Sequence, residues 1–294
     1  MFQRRIAEWF SYARLLGSVW PHLLVKNSRE YKVRRKCFQA AWWPKVLQAP
    51  IGRRLLVISP HPDDESIGPG GLLWAHRGLS EIHILCLTNG EKGGQLSAKD
   101  FKKSKGAGFK KMAEIRRREL SGVARLLGAK SLTFLGLEDG SLPTEGEAVG
   151  RLAREVEKVN PDVVLLPWFL DKHPDHRSAN LLYARACAER RGMVLGYEIW
   201  EPLEPNALLD ISGKRFKGKL SMIDLYKSQL RTVDYTNLAR TLGSFRAFYN
   251  PLNNKRKGMV EAYVSLPNSI YCKIAKNLSC PNAKDINIKN KEYI

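Results

Sequence analysis

Two short clusters of histidine and aspartate contain the residue types that metal-dependent chemistry needs. The first, PHPDDE, begins at Pro60 directly after the apolar run LLVIS, and the second, DKHPDH, begins at Asp171 after the apolar run DVVLLPW. A catalytic zinc ion takes three protein ligands from His and Asp or Glu and leaves one position open. His61, Asp64 and His176 would meet that need.

Helix capping is a structural alternative for the first cluster. Asp63 or Asp64 could cap a helix that begins near Ile67, with Glu65 in its first turn. Capping does not account for His61, and two such clusters at two strand ends favour a metal site over chance. Three further histidines lack such neighbours and are interpreted as surface or packed residues: His22, His76 and His83.

The chain from Arg54 onward alternates short apolar runs with longer amphipathic ones, which is typical of strand-helix units. The pattern predicts an α/β fold, a Rossmann-like and mainly parallel sheet flanked by helices, with the metal site at the carboxyl ends of strands. The predicted strands are residues 55–59, 81–88, 131–137 and 162–168. The predicted helices are residues 67–77, 112–127, 145–159 and 177–190.

The sequence pattern weakens after Gly192, although VLGYEIW and NALLDIS resemble strands and KRFKGKLSMIDLYKSQL resembles a helix. We therefore predict three regions. Residues 1–53 form a basic, aromatic-rich N-terminal extension, residues 54–250 form the catalytic domain, and residues 251–294 form a C-terminal tail of uncertain structure.

Composition limits the classes of function. The chain has 294 residues with a formal net charge of +20, and residues 1–54 supply twelve basic residues against two acidic ones. Such a segment suits nucleic acid, an anionic membrane or an acidic partner. The five cysteines show no ligand spacing and favour a reducing compartment. No apolar run approaches the roughly 18 residues that span a bilayer, so a cytoplasmic location is expected.

The motifs together resemble the LmbE-like or PIG-L-like de-N-acetylases. The resemblance rests on PHPDDE and HPDH, and is supported by LTNGEKGG, RRRELSGVARLLG and DISGKRFKGKLSMIDLYKSQ, over residues 54–229. Members of this family are zinc hydrolases that remove acetyl from N-acetylglucosamine carried on inositol, phosphatidylinositol, malate and related groups. The resemblance implies one zinc ion per chain, and the ligand types would also accept another divalent metal.

The resemblance also implies roles for individual residues. His61, Asp64 and His176 would bind the zinc ion and Asp63 would be the general base. His173 would act on the oxyanion or the leaving group, and Asp175 would orient His173. Arg116 lies where family members hold substrate. Some members have a tyrosine two residues before the first histidine of HPDH, where Asp171 stands in this sequence.

The predicted function is zinc-dependent hydrolysis of the N-acetyl group of an N-acetylglucosamine-containing glycoconjugate, with lipid-linked and cell-envelope glycans as candidates. Two alternatives stay open: a metal hydrolase of another amide, and a basic nucleic-acid-binding protein without catalysis. No helix-turn-helix, RNP motif or zinc finger supports nucleic-acid binding. The sequence leaves the aglycone and the oligomeric state open.

The N-terminal segment suggests a membrane partner. Apolar residues recur there at spacings of three and four, from Phe2 to Trp20, so a helix would place them on one face. Packing against the catalytic domain predicts the same period. Because each Lys or Arg near an anionic leaflet contributes about 1 kcal/mol, we expect residues 1–45 to hold the protein at the inner face of the membrane.

Overall fold

The computed structural model describes residues 44–94, 107–248 and 257–279. The N-terminal segment predicted to bind a membrane therefore lies outside the described residues, except for its last two positions. Among the described residues, no helix is both long enough and apolar enough to cross a bilayer.

The centre of the described fold is one eight-stranded sheet in the order β1-β7-β8-β6-β5-β2-β3-β4. Its strands are β1 (Lys45–Leu47), β2 (Arg54–Ser59), β3 (Glu81–Thr88), β4 (Ser131–Leu137), β5 (Val163–Pro167), β6 (Met193–Tyr197), β7 (Ala207–Asp210) and β8 (Val260–Pro267). Only β8 runs antiparallel to its two neighbours in this sheet, and the other pairs are parallel. The predicted α/β fold with a mainly parallel sheet is confirmed.

Nine helices are described around this sheet. They are α1 (Asp64–Ile67), α2 (Gly70–His76), α3 (Gly108–Leu127), α4 (Glu147–Val159), α5 (Pro174–Cys187), α6 (Lys214–Ile223), α7 (Lys227–Leu230), α8 (Tyr235–Ala247) and α9 (Asn268–Ser279). The single helix predicted over residues 67–77 is instead interrupted between α1 and α2. Pro69 lies at the interruption, and a Cβ at Gly68 would lie 2.3 Å from the ring of Tyr197.

Strand β2 shows why its apolar run is continuous. It pairs with β3 on one side and with β5 on the other, so it lies in the middle of the sheet. Leu55, Leu56, Val57 and Ile58 are each at most 1% exposed. Each such side chain contributes roughly 1.5–3 kcal/mol when it is fully buried. Because both faces of such a strand are covered, functional side chains are expected in the loop that follows it and not within the strand.

The strand order reverses next to β2. The chain proceeds from β2 to β3 and β4 on one side, then returns to β5 on the other side. In open parallel sheets, ligands bind outside the carboxyl ends of the strands at such a reversal. The PHPDDE loop follows β2 and the DKHPDH loop follows β5, so the topology brings the two clusters to one crevice.

Two strands of the sheet lie outside the range predicted for the catalytic domain. β1 precedes residue 54 and pairs with β7, while β8 follows residue 250 and lies between β7 and β6. The domain boundaries stay predictions, but the sheet extends across both. β8 gave no clear strand pattern because the charged residue Glu261 is buried within it.

Candidate metal centre

The turn after β2 has an unusual backbone. Asp63 has φ 130° and ψ −28°, a backbone conformation that residues other than glycine rarely adopt. The main-chain N–H of His61 donates to Oδ2 of Asp64 at 2.9 Å, which closes the turn on itself. Asp63 precedes α1 but its side chain makes no capping hydrogen bond, so the capping alternative is wrong for Asp63. Backbone strain of this kind concentrates at functional sites.

One carboxylate oxygen lies between two histidines. Oδ2 of Asp64 is 3.3 Å from Nδ1 of His61 and 3.4 Å from Nε2 of His176. Ligand atoms about 2.0–2.1 Å from a tetrahedral zinc ion lie about 3.3–3.4 Å from one another. His176 is fully buried, and neither of its ring nitrogens has a hydrogen-bond partner among the described residues. These three side chains therefore fit a metal ion.

The outward nitrogen of each histidine faces carboxylates. Nε2 of His61 lies 3.0 Å from Oδ2 of Asp175 and 3.2 Å from Oδ1 of Asp139. Nδ1 of His176 lies 3.3 Å from Oδ1 of Asp171. Metal-binding histidines usually give their second nitrogen to a carboxylate, which fixes the tautomer and the ring orientation.

Two other groups of side chains could also hold a metal by distance alone. Each contains His61, together with His173 and His176 in one group and with Asp139 and Asp175 in the other. Nδ1 of His173 already accepts the main-chain N–H of Asp175 at 3.2 Å. Asp139 accepts the N–H of Lys92 at 2.7 Å, and Asp175 accepts those of Gly140 and Leu142 at 2.7 and 3.2 Å. Because these atoms already accept hydrogen bonds, His173, Asp139 and Asp175 are better suited to support the metal ligands than to bind the metal.

The charges of the cluster reinforce one another. Although burial alone would raise the pKa of Asp64, His176 and His61 hold it well below its usual range. Although burial alone would lower the pKa of His176, Asp64 and Asp171 raise it to about 9. A metal ion competes with protons for such nitrogens, and the same carboxylates stabilise either positive charge.

Asp63 has a different environment from Asp64. Burial raises the pKa of Asp63 to about 7, with Asp64 and Glu65 raising it and Arg116 and His61 opposing them. Oδ1 of Asp63 lies 3.0 Å from Nη2 of Arg116. Neighbouring carboxyl groups with opposite pKa shifts are typical of sites that separate a base from a ligand.

Arg116 is more buried than the sequence suggests. It is 3% exposed and donates to the carbonyl oxygens of Gly90, at 2.9 Å, and of Pro62. A Cβ at Gly90 or Gly93 would lie 2.5 or 2.4 Å from Nη1 of Arg116, which explains these two glycines of the NGEKGG stretch. Arg116 thus holds the loop and Asp63 together, and its predicted contact with substrate stays a prediction.

His173 and Asp175 are arranged differently from the expectation. The carboxylate of Asp175 faces His61, and its hydrogen bond to His173 is made by the main-chain N–H. The reason is that His173 caps α5, directly before Pro174. Because Nδ1 of His173 accepts, a neutral ring carries its proton on Nε2. Burial lowers the pKa of His173, and the charges of His176 and His61 lower it further, which favours that neutral form.

Five of the seven predicted residues line one cavity of about 310 Å³, at the lower end of the range for small-molecule sites. It is lined by His61, Asp63, Asp64, Arg116 and His173, together with groups from the loops after β3, β4 and β6 and from α8. His176 and Asp175 are buried and do not line the cavity, but they contact Asp64 and His61, which do.

Comparison with known proteins agrees with this geometry. Residues 56–187 match the family model described as PIG-L, GlcNAc-PI de-N-acetylase. This matched segment is similar to the PIG-L family. The resemblance found from the motifs is confirmed, and the match begins in β2 and ends with α5, so it includes both clusters.

Proteins similar to this chain include named deacetylases. The chain is 33% identical over 141 residues to a probable N-acetyl-alpha-D-glucosaminyl L-malate deacetylase 2 of Bacillus anthracis, covering 46% of this chain and 60% of that protein. N,N'-diacetylchitobiose deacetylase of Pyrococcus horikoshii has a similar structure, with TM-score 0.63 and 25% identity over 82% of this chain and 92% of that one.

The same fold also serves another reaction. The 4-carboxy-2-hydroxymuconate hydratase of Pseudomonas putida has TM-score 0.62 and 25% identity to this chain, over 72% of this chain and 96% of that one. Fold alone therefore does not determine the reaction, which depends on the side chains of the site.

Sequence reasoning missed two carboxylates that support the cluster. Asp139 follows the carboxyl end of β4, and Asp171 was noted only as the replacement of a tyrosine. The position of Asp139 just after a strand was a usable signal. Trp200 and Tyr235, which line the cavity, were also missed, because neither belongs to a motif or to one of the clearly periodic segments.

Proposed function

We propose that this protein is a metal-dependent N-deacetylase that hydrolyses the acetamide of an N-acetylglucosamine-containing glycoconjugate. The observation that carries the proposal is the position of Asp64, whose Oδ2 lies 3.3 and 3.4 Å from the facing nitrogens of His61 and His176. Asp63 and His173 line the cavity beside these groups.

His61, Asp64 and His176 would hold the metal, and zinc suits two imidazoles and a carboxylate. Zinc in such a site supplies Lewis acidity, which polarises an amide carbonyl and makes water a better nucleophile at neutral pH. Asp139, Asp175 and Asp171 keep the two imidazoles oriented.

Asp63 is the proposed general base. With a pKa of about 7 it is available near neutral pH to take a proton from the attacking water. The ion pair with Arg116 at 3.0 Å keeps the carboxylate in place. The strained backbone at φ 130° fixes its direction relative to Asp64.

His173 is the proposed hydrogen-bond donor to the reacting acetamide. Because its Nδ1 accepts a main-chain N–H, its Nε2–H is available as a donor when the ring is neutral. From that position it can stabilise the oxyanion and assist departure of the amine. Asp175 contributes to this arrangement through the main-chain N–H that orients the imidazole.

The substrate class is supported by the relatives, whose names specify acetylated glucosamine conjugates or diacetylchitobiose. The aligned part of the chain spans 60% of the Bacillus anthracis protein, so the conjugate is part of the proposal. Hydrolysis of a different amide is the alternative, since the hydratase with the same fold shows that the site chemistry can diverge.

Cytoplasmic location and attachment through residues 1–45 to an anionic membrane remain parts of the proposal. They rest on the charge of residues 1–54, with twelve basic residues against two acidic ones. Deleting residues 1–43 should abolish sedimentation with anionic vesicles at low salt but leave bound zinc unchanged. If the full-length protein does not sediment with these vesicles, the membrane proposal is wrong.

The deciding experiment combines metal analysis with product detection. Purified protein should contain about one zinc ion per chain and release acetate from a panel of N-acetylglucosaminides with different aglycones. Chelation should abolish acetate release and added zinc should restore it. Activity that survives complete removal of metal would refute the metal centre. Release of acetate only from other amides would refute N-acetylglucosaminides as the substrate class.

A further inference from the structure

The two sides of the cavity at the metal centre differ in polarity. One side consists of charged and main-chain groups of the loops after β3 and β4, among them Lys92, Gly93 and Asp139. The other side is apolar and consists of Ile199, Trp200, Val233 and Tyr235. A ligand that fits both sides needs one apolar face and polar groups on its opposite side or edge.

Trp200 is the most accessible part of the apolar side. Its side chain is 47% exposed, whereas Ile199 and Tyr235 are each 5% exposed. Tyr235 contacts the indole in an edge-to-face arrangement, with ring centroids 6.3 Å apart and an interplanar angle of 69°. Such contacts hold an aromatic ring in a defined orientation.

The backbone of Trp200 is attached to the metal centre. Its main-chain N–H donates to Oδ2 of Asp171 at 3.0 Å. The other oxygen of that carboxylate lies 3.3 Å from Nδ1 of His176. The Asp171 carboxylate therefore contacts both the main chain of Trp200 and a proposed metal ligand, so the backbone that carries the indole is attached beside the metal centre.

We propose that the indole face of Trp200 is the stacking surface for the pyranose ring of the substrate. This inference rests on the proposed function and identifies how its sugar is bound. A pyranose ring presents C–H groups on one face, which pack on an aromatic face, while its hydroxyl groups are directed to the ring edge. The polar side of the cavity can satisfy those hydroxyl groups, and the acetamide then points toward Asp63 and His173.

Fluorine NMR can test this contact without relying on catalysis. Full-length zinc-loaded protein is labelled with 5-fluorotryptophan, and the resonance missing in Trp200→Phe is assigned to Trp200. To prevent turnover, N-acetylglucosamine and diacetylchitobiose are added to the Asp63→Asn background. We expect saturable shifts of the Trp200 resonance, with the signals of the buried Trp168 unchanged.

Kinetics provide the second readout. Trp200→Ala should raise KM for N-acetylglucosaminides roughly tenfold, with kcat changed much less, because a stacking contact contributes mainly to binding. Trp200→Phe should recover most of the loss. Ile270→Ala is the matched control. Ile270 is 43% exposed on α9, which begins beside the start of β6, whereas the cavity is lined by the loop after the end of β6.

The outcomes separate this inference from the proposed function. If the sugars bind and are deacetylated but the Trp200 resonance and the KM of Trp200→Ala do not change, the stacking surface is wrong and the function stands. If no N-acetylglucosaminide binds or reacts, both are wrong. Equal recovery by Trp200→Phe and Trp200→Leu would also refute stacking, because it would show that apolar volume suffices.

Discussion

Two buried clusters of charged residues differ in how completely they are paired. The site cluster comprises His61, Asp63, Asp64, Arg116 and His176, each at most 7% exposed. The Lys219 cluster comprises Lys219, Glu261, Glu198 and Arg246, each at most 6% exposed. Both nitrogens of His176 and Nε of Arg116 lack hydrogen-bond partners in the described part of the chain, whereas no atom of the Lys219 cluster does.

The Lys219 cluster is completely paired, as expected for a group of residues that supports the fold. Nζ of Lys219 donates to the carbonyl of Gly68 and to Oε1 of Glu261, both at 2.7 Å. Glu261 also accepts the main-chain N–H groups of Gly71 and Leu72 at 2.7 and 2.8 Å. In this way β8 and α6 hold the turn that follows the PHPDDE loop.

Of these two buried clusters, the site cluster is the one that keeps polar atoms unsatisfied. Unpaired buried polar atoms are few in native proteins, and each needs an explanation. For Nε2 of His176 the explanation is a metal ion, since Nδ1 of the same ring faces the Asp171 carboxylate at 3.3 Å. Replacing a residue of the site cluster should therefore change function more than stability, and replacing a residue of the Lys219 cluster should do the reverse.

The largest effect is expected from removal of a proposed metal ligand. His176→Ala should lower metal affinity well beyond the roughly 10–100-fold that loss of a supporting residue costs, and activity should disappear with the metal. His83→Ala is the control, because His83 bonds to Ser131 at 2.7 Å and lies outside the site cluster. Zinc analysis after dialysis measures the effect. Stoichiometric zinc and full activity in His176→Ala would exclude it as a ligand.

Removal of the proposed base should separate metal binding from turnover. Asp63→Asn should retain zinc and lose activity by roughly 10² to 10⁴-fold, the usual weight of general acid-base catalysis. The thermal unfolding temperature should fall modestly, because Arg116 stays buried and loses its charge partner, although the amide oxygen of Asn can still accept a hydrogen bond from it. Asp224→Asn, which alters an exposed ion pair with Lys227, should leave turnover unchanged. Normal turnover in Asp63→Asn would make that carboxylate a structural partner of Arg116.

The Lys219 cluster should show the opposite behaviour. Lys219→Met leaves Glu261 buried without its charge partner, which typically costs about 3–5 kcal/mol of unfolding free energy. Lys227→Met breaks an exposed pair and should cost about 1 kcal/mol or less. Urea unfolding measures both. We expect zinc content and kcat of folded Lys219→Met to match the wild type, and a large loss of kcat at unchanged stability would overturn the comparison.

The sequence predicted the site cluster far better than the Lys219 cluster. His61, Asp64 and His176 follow continuous apolar strands in short motifs, and parallel topology brings such strand ends together. Lys219 and Glu261 lie in α6 and β8, 42 positions apart, with no motif to connect them. The strands β3 and β4 were predicted at their observed bounds, because mainly apolar runs of strand length define them, although β3 is buried and most of β4 is only partly buried. Pairing between distant polar residues depends on three-dimensional packing, which periodicity does not encode.

A smaller effect is expected from the carboxylate behind His176. Asp171→Asn keeps the size of the side chain but removes the charge 3.3 Å from Nδ1, so metal affinity should fall about 10–100-fold. The control is Asp162→Asn, whose carboxylate accepts main-chain N–H groups at the start of β2. Competition with a chelator of known zinc affinity gives both values. If the two variants bind zinc equally well, Asp171 does not support the ligand.

The smallest effect concerns His76, a buried histidine that contrasts with His176. Its Nε2 accepts the N–H of Ile51 at 2.9 Å and its Nδ1 donates to the carbonyl of Leu72 at 2.7 Å, so its neutral form is fully paired. Burial lowers the pKa of His76, and Arg215 lowers it further against the opposing bond to Leu72. The unfolded chain therefore binds a proton at His76 more readily than the folded chain does.

Stability contributed by neutral His76 is present above the unfolded pKa of about 6.5 and is lost as the pH falls below it. Between pH 7.5 and pH 5.5 the wild type should lose more unfolding free energy than His76→Gln, because glutamine does not titrate. Urea midpoints of zinc-loaded protein at the two pH values measure this difference, and contributions from the site cluster cancel between the two proteins. An equal loss of unfolding free energy in the wild type and in His76→Gln would mean that the fold tolerates protonated His76. The complete hydrogen bonding of His76 would then not distinguish it from His176.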